Sequence, residues 1–199
     1  MEKGKIIFLN GVSSSGKTTL ARALQKDLSE PYFVYSRDDF CNTLPFTEKH
    51  GNDFTGYAHM IQESFFNTIR TVSDYNMNII VDTVFCEGNY CMLKLCVLLL
   101  CEYPVLFVKL ECPLDELRRR EAPRVGVDSV AGRTEEQLMK LVPIDLYDLI
   151  IDTHMYDAAH NISLIKDKLA EIEKCSAFKT LAEQYNSGVK PCKERYPHC

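Results

Sequence analysis

The apolar run Lys5-Ile6-Ile7-Phe8-Leu9-Asn10 leads straight into Gly11-Val12-Ser13-Ser14-Ser15-Gly16-Lys17-Thr18. The order is strand, glycine-bounded turn, helix, and the turn fits G-x-x-x-x-G-K-[ST], the phosphate-binding pattern in the setting it requires. Consecutive backbone N–H groups wrap the oxygens of a triphosphate only where the chain turns tightly, which Gly11 and Gly16 permit with no Cβ in the way. Lys17 then reaches the β and γ phosphates and Thr18 offers its hydroxyl to Mg2+. The helix that begins here turns its unpaired N–H groups and positive end to the anion. Gly11, Ser13, Ser14, Ser15, Gly16, Lys17, Thr18 and Thr19 are therefore the expected nucleotide-binding residues, with ATP and Mg2+ as ligands. The alternative is a serine-rich turn that only caps the first helix.

What surrounds this motif narrows the fold. Apolar runs of strand length recur at 5–10, 32–35, 78–85, 105–110 and 148–152, separated by segments with helical spacing at 17–28, 57–73, 89–101, 113–121, 134–141 and 158–174. Leu20, Leu24 and Leu28, for instance, recur every four residues and put one helix face on a sheet. Strands alternating with helices predict an α/β architecture, a parallel sheet covered on both faces. At 199 residues the chain suits a single core. The segments 41–55 and 122–133 have no periodicity, and long irregular segments of a compact domain are often lids or substrate loops.

The charge balance limits the partners. A net charge of −5 argues against a nucleic-acid surface, which needs clustered Lys and Arg. Positive charge is concentrated instead at Lys17 and along Arg118-Arg119-Arg120, Arg124 and Arg133. The nine cysteines include no CxxC pair and read as small hydrophobes of a reducing cytoplasm. Residues 93–110, the most apolar stretch, are interrupted by Lys94, Glu102, Pro104 and Lys109 and so predict a helix, a turn and a strand, with no membrane span. Cys192, His198 and Cys199 lie in a patternless tail and fit no zinc module.

Catalysis needs a carboxylate and cations at the rim that holds the phosphates. Asp82 closes the third apolar run and is placed for Mg2+, or else terminates the strand or caps the next helix. After the second run, Asp38 is the candidate base for an acceptor hydroxyl, a role worth about 10²–10⁴ in rate. Asp38 and Asp39 are equally able to cap a helix beginning near Phe40. Arg120 and Arg124 are the candidates to neutralise charge on the transferred phosphoryl group, worth about 10³–10⁵, although Pro123 stands between them and opposes one continuous helix. Arg118 and Arg119 read as solvated and Arg133 as a weaker lid candidate. His154 reads as a surface imidazole, with an adenine contact as the alternative.

Taken in order, the loop motif, Arg37-Asp38-Asp39-Phe40, Ile80-Val81-Asp82-Thr83-Val84-Phe85, Arg120-Glu121-x-x-Arg124, Val130-Ala131-Gly132 and Tyr147-Asp148…Asp152-Thr153 make the chain resemble the chloramphenicol phosphotransferase-like family of P-loop kinases. The resemblance spans about residues 5 to 172. It implies a P-loop NTPase fold with a five-stranded parallel sheet of order 2-3-1-4-5 and a mobile lid near 122–133. It also implies Lys17 and Thr18 at the phosphates and Mg2+, Asp38 as the base, and Arg120 and Arg124 over the phosphates. The kinase domain would then be 1–174, with 175–199 a helix and an irregular tail. Thr83 and Ser129 depart from the resistance enzyme, which has Asp and Arg there; these changes leave phosphoryl transfer intact and weigh against chloramphenicol as the acceptor. The expected activity is transfer of the γ-phosphoryl group of ATP to a hydroxyl of a small molecule. Two alternatives stand beside it: a nucleotide or metabolite kinase, weakened because only Lys49 offers positive charge between Phe40 and Tyr57, and a nucleotide-controlled binding module without an acceptor.

Overall fold

The computed structural model describes residues 2–43, 55–86, 90–124 and 131–188. The element order is β1 Ile6–Asn10, α1 Lys17–Asp27, β2 Tyr32–Ser36, α2 Arg37–Asn42, α3 Thr55–Asp74, β3 Asn78–Thr83, α4 Tyr90–Leu100, β4 Val105–Glu111, α5 Leu114–Glu121, α6 Arg133–Met139, β5 Leu149–Asp152, α7 Ala158–Leu169 and α8 Ala177–Asn186. The strands form one parallel sheet in the order β2-β3-β1-β4-β5. This is the expected α/β architecture with its 2-3-1-4-5 order.

Strand alternation sends β1 into two cores. Ile6 and Phe8 face a cluster built with α3, α4 and α8, while Ile7 and Leu9 face one built with α1 and α7. All five residues of β1 are buried, as suits a central strand covered on both sides. Leu20 and Leu24 of α1 lie in the second cluster and Leu28 packs on its edge, so the four-residue spacing of leucines found its sheet. From β1 the chain crosses to β2 on one side, and from β4 to β5 on the other. The connections leaving β1 and β4 therefore diverge, which opens a crevice at the strands' carboxyl ends.

Asn10, at the last position of β1, is fully buried. Its side-chain oxygen accepts the Phe85 N–H at 3.1 Å and its Nδ2 donates to the Tyr147 hydroxyl at 2.8 Å. That bond draws the chain out of the ladder after Thr83, so the third strand is shorter than the apolar run 78–85. The helix expected over 158–174 stops at Leu169 and is followed by a turn of 3-10 helix, Ile172–Lys174. The physical reason is topological: α7 covers one face of the sheet and α8 the other, so the chain has to round the sheet edge between them.

Beyond that turn α8 contributes Ala177, Phe178, Leu181 and Ala182 to the first cluster. The Phe178 ring lies 5.6 Å from that of Phe8 and 5.0 Å from that of Phe107. Asp148 anchors the start of α8: one carboxylate oxygen accepts the Ser176 and Ala177 N–H groups at 2.9 and 3.1 Å, and the other accepts Phe107 N–H at 2.9 Å. The cysteines with described side chains, Cys41, Cys86, Cys96, Cys101, Cys112 and Cys175, are all free thiols. No helix among the described residues is long and apolar enough to cross a membrane. Residues 44–54, residues 125–130 of the expected lid, and the tail with Cys192, His198 and Cys199 lie outside the described residues.

Because Phe178 is a wedge between two core rings, Phe178→Ala is expected to cost about 3–5 kcal/mol of stability. Urea denaturation should show this as a single transition at a lower midpoint; an unchanged midpoint would mean that α8 is not part of the core.

Candidate active site

The turn after β1 holds two residues with left-handed backbone, Ser14 at φ 61° and Gly16 at φ 93°. A side chain at Gly11 would meet atoms from two directions, since a Cβ there would lie 2.8 Å from Ser15 Oγ and 3.1 Å from the Leu110 carbonyl oxygen. A Cβ at residue 11 would require the Ser15 hydroxyl and the end of β4 to shift, so glycine lets the loop rest on β4. At the start of α1 the first helical bond is Leu20 N–H to the Gly16 carbonyl, at 2.9 Å. The N–H groups of Lys17, Thr18 and Thr19 thus precede any intrahelical acceptor and remain for an anion. A triphosphate fits this cradle.

Lys17 folds back over the loop, its Nζ donating to the Val12 carbonyl at 2.9 Å and lying 3.9 Å from Asp82 Oδ1. The Thr18 hydroxyl donates to Asp82 Oδ2 at 2.5 Å. Asp82, the next-to-last residue of β3, is therefore a buried carboxylate joined to the phosphate loop, and it caps no helix among the described residues. Loss of solvent lowers the Lys17 pKa and raises that of Asp82; their mutual attraction offsets this only in part. Two hard oxygens, Thr18 Oγ1 and Asp82 Oδ2, meet beside the cradle. That donor set suits Mg2+, which takes few protein ligands and completes its shell with water and phosphate oxygens.

The parallel register sets Ser36 opposite Asp82 and Asp82 opposite Leu9, so α2, which begins at once after β2, starts on the rim that bears the phosphate loop. Its cap is Ser36, whose Oγ accepts the Asp39 N–H at 3.3 Å. The helix therefore begins three residues before Phe40, and neither Asp38 nor Asp39 caps it. Asp38 is largely exposed and faces Arg133, with Nη2 to Oδ2 at 3.6 Å. The charges of Asp82, Asp38, Arg124 and Arg133 all act on Lys17.

The arginines divide by position. α5 ends at Glu121, and Ala122–Arg124 form a turn of 3-10 helix at Pro123, so Arg120 and Arg124 do not share a helical face. Arg124 Nη1 reaches Ser14 Oγ at 3.4 Å. Arg120 has other partners: Nε donates to Glu116 at 2.7 Å, Nη1 and Nη2 to Thr153 Oγ1 and O at 3.2 and 2.7 Å. Thr153 in turn donates to the Ser15 carbonyl at 2.8 Å. Arg120 thus braces the loop through the segment after β5, with Nη1 3.8 Å from where a Cβ on Gly16 would lie. Arg118 and Arg119 are exposed and pair with Glu135 and Glu116. His154 is exposed, its N–H given to Asp152 Oδ1 at 2.7 Å.

Sequence reasoning missed how α6 joins the site. The buried Glu121 carboxylate accepts both the N–H and the hydroxyl of Thr134 at 2.8 Å each. One turn further on, Gln137 Oε1 accepts the Ser13 N–H at 2.6 Å. After α6, Val142 N–H donates to the Phe85 carbonyl at 2.9 Å, which fastens the far end of the segment beside β3. The only signal in the sequence was the i,i+3 spacing of Thr134 and Gln137, which puts both on one face.

A model of the chloramphenicol phosphotransferase-like proteins matches residues 4–170. The chain belongs to the chloramphenicol phosphotransferase-like family. No curated protein matches it in sequence. Among solved structures, the family member is similar to the Mycobacterium tuberculosis APS kinase CysC, solved in complex with AMPPNP and APS, at 14% identity and TM-score 0.65 over 85% of this chain and 99% of that one. It is also similar to a putative kinase from Chloroflexus aurantiacus, at 18% identity and TM-score 0.62 over 86% and 98% of the two chains. A third likeness is a sugar kinase from Janibacter, at 19% identity and TM-score 0.60 over 84% and 95%. The shared feature is the fold, a P-loop kinase fold.

Burial acts to raise the Glu121 pKa, but the hydrogen bonds from Thr134 and Gly132 and the charge of Arg124 outweigh it and leave the carboxyl below its usual value. A depressed native pKa stabilises the fold above the unfolded-state value, about 4.3, and this contribution fades as pH falls through the native one. Glu121→Gln, which keeps an acceptor and drops the charge, is expected to be less stable than the parent at pH 7. Urea midpoints taken from pH 7 to pH 3 should show the gap closing below about pH 4.3; a gap independent of pH would assign the loss to packing.

Proposed function

We propose that this protein is an ATP- and Mg2+-dependent phosphotransferase that moves the γ-phosphoryl group to a hydroxyl of a small molecule. The observation that carries the reading is the position of Asp38, an exposed carboxylate on the same strand rim as the cradle, with Lys17 within its field. Family membership and the kinase fold support phosphoryl transfer in general; the alcohol acceptor rests on Asp38.

In this reading the N–H groups at the start of α1 and the Lys17 ammonium hold the triphosphate. Thr18 and Asp82 would hold Mg2+, which neutralises phosphate charge when bound. The acceptor O–H gives its proton to Asp38 as its oxygen bonds to the γ phosphorus. The bond from that phosphorus to the β–γ bridging oxygen breaks, and ADP leaves with the electron pair. Arg124, already at Ser14, and Arg133, opposite Asp38, supply positive charge where the equatorial oxygens of the transferred group lie. Positioning and charge neutralisation account for most of the rate in this chemistry. Arg120 acts on this site by bracing the loop.

A second reading, an acceptor that carries an anionic group, is favoured by Arg37. This half-buried guanidinium stands next to Asp38 and forms no ion pair among the described residues. Its charge acts on the Cys41 and Cys86 thiols.

Incubation with γ-labelled ATP, Mg2+ and a panel of neutral and anionic hydroxylated metabolites and antibiotics is expected to place label on a small molecule, and the class that is labelled decides between the two readings. Asp38→Asn should lower transfer by about 10²–10⁴ with ATP affinity little changed, while Lys17→Ala should lose ATP affinity itself. Label found only as free phosphate, or nowhere, would instead favour a nucleotide-controlled binding module.

A further inference from the structure

Gln137 stands in the site with both hydrogens of its amide NH2 unused among the described residues. Its carboxamide oxygen takes the Ser13 N–H at 2.6 Å. The orientation of the amide follows from chemistry, because the opposite flip would set two donors against each other. With the oxygen pinned, the NH2 group is held within the same planar amide, beside the phosphate loop. It donates to no protein group among the described residues.

The side chain is also well supported. Thr134, on the same face of α6, is fully buried and doubly bonded to Glu121. Its hydroxyl lies 3.4 Å from the Ser13 carbonyl, so α6 touches residue 13 from two successive turns. Ser13 belongs to the limb of the loop that rises from β1, upstream of the helix start. Its engagement by Gln137 leaves the N–H groups of Lys17, Thr18 and Thr19 available. The nearby charges include Arg133 on the same helix, paired with Asp38, and Arg124 at Ser14. Gln137 therefore lies at the phosphate loop, on the helix whose first residue, Arg133, pairs with Asp38.

We propose that Gln137 is a catalytic residue that contacts the terminal phosphoryl group of ATP, its amide NH2 donating to a γ-phosphoryl oxygen while its carbonyl oxygen stays on Ser13 N–H. This inference rests on the reading of the cradle as an ATP site. A neutral donor here serves the reaction in a way another cation would not. It orients the phosphoryl oxygens without lowering the basicity of Asp38, and it adds no charge to a rim that already holds Lys17, Arg124 and Arg133. It also distinguishes ATP from ADP, because only ATP places an acceptor oxygen at that point.

The test uses the full chain and a ratio of affinities. Gln137→Glu keeps an oxygen for Ser13 N–H and replaces the NH2 donor by an anionic oxygen. Affinity for a non-hydrolysable ATP analogue, measured by calorimetry with Mg2+, is expected to fall by about 10- to 100-fold, the worth of a hydrogen bond to a charged group, with ADP affinity within about threefold of the parent. Gln137→Leu, which removes donor and acceptor together, should lower the same ratio in the same direction and serves if the first variant fails to fold. Equal weakening of ADP and analogue would make Gln137 a shaper of the loop and overturn the proposal, as would no change in either. A shifted ratio in a protein that labels no acceptor would uphold this contact and defeat the alcohol-acceptor reading. A parent protein that binds neither nucleotide would defeat both.

Discussion

At residue 11 the backbone passes so close to the Leu110 carbonyl that a methyl group would fit only if its neighbours gave way by a few tenths of an ångström. This close approach seats the first connection of the chain on the carboxyl end of β4, and much of the site follows from it. With the loop lowered onto the sheet, α1 starts at a set height above the strands. Thr18 is then level with Asp82, and Lys17 has no course but back across its own turn. The hydrophobic core makes this arrangement firm, because β1 is sealed on both faces and has no freedom to slide. The cradle is thus a backbone object first, and the side chains that decorate it inherit their places from the fold.

Much of this could be read from the residues, for reasons that differ by element. The five strands were legible because parallel strands covered by helices leave unbroken apolar runs, even at the half-exposed edges β2 and β5, and Asp82 was legible because a carboxylate after Ile79-Ile80-Val81 stands out. The strand order was not in the pattern; the family resemblance supplied it. The cap of α2 was misplaced because Ser36 sits at the end of a strand and two aspartates follow it, so the more obvious side chains drew the assignment. Glu121 was hidden by its neighbours. After Arg118-Arg119-Arg120 a glutamate reads as one more solvated charge, and nothing local tells that this one turns inward to hold Thr134. Contacts made across 13 or 124 residues, such as Glu121 with Thr134 or Ser13 with Gln137, leave little trace in local spacing.

The electrostatic design is one of local reversal. A chain with net charge −5 gathers Lys17, Arg124 and Arg133 at one rim and sets Asp38 and Asp82 among them. In a partly desolvated pocket such opposed charges act more strongly than they would in water, so each holds the others in place before any ligand arrives. The arginines also differ in their duties. Arg120 supports the loop through Thr153 and lies beside Gly16, whereas Arg124 reaches Ser14, and the break at Pro123 lets two residues four apart meet different residues of one turn.

The family match ends at residue 170, yet the aromatic packing around Phe8 and Phe107 is completed by Phe178. A boundary drawn where the family pattern stops would strip the last wall from an otherwise closed room. Phe8 and Phe107 would then meet water, and truncated copies would tend to stick to one another through that opening. For this protein, the segment after the shared region is structural masonry, and any fragment meant to stand alone has to carry it.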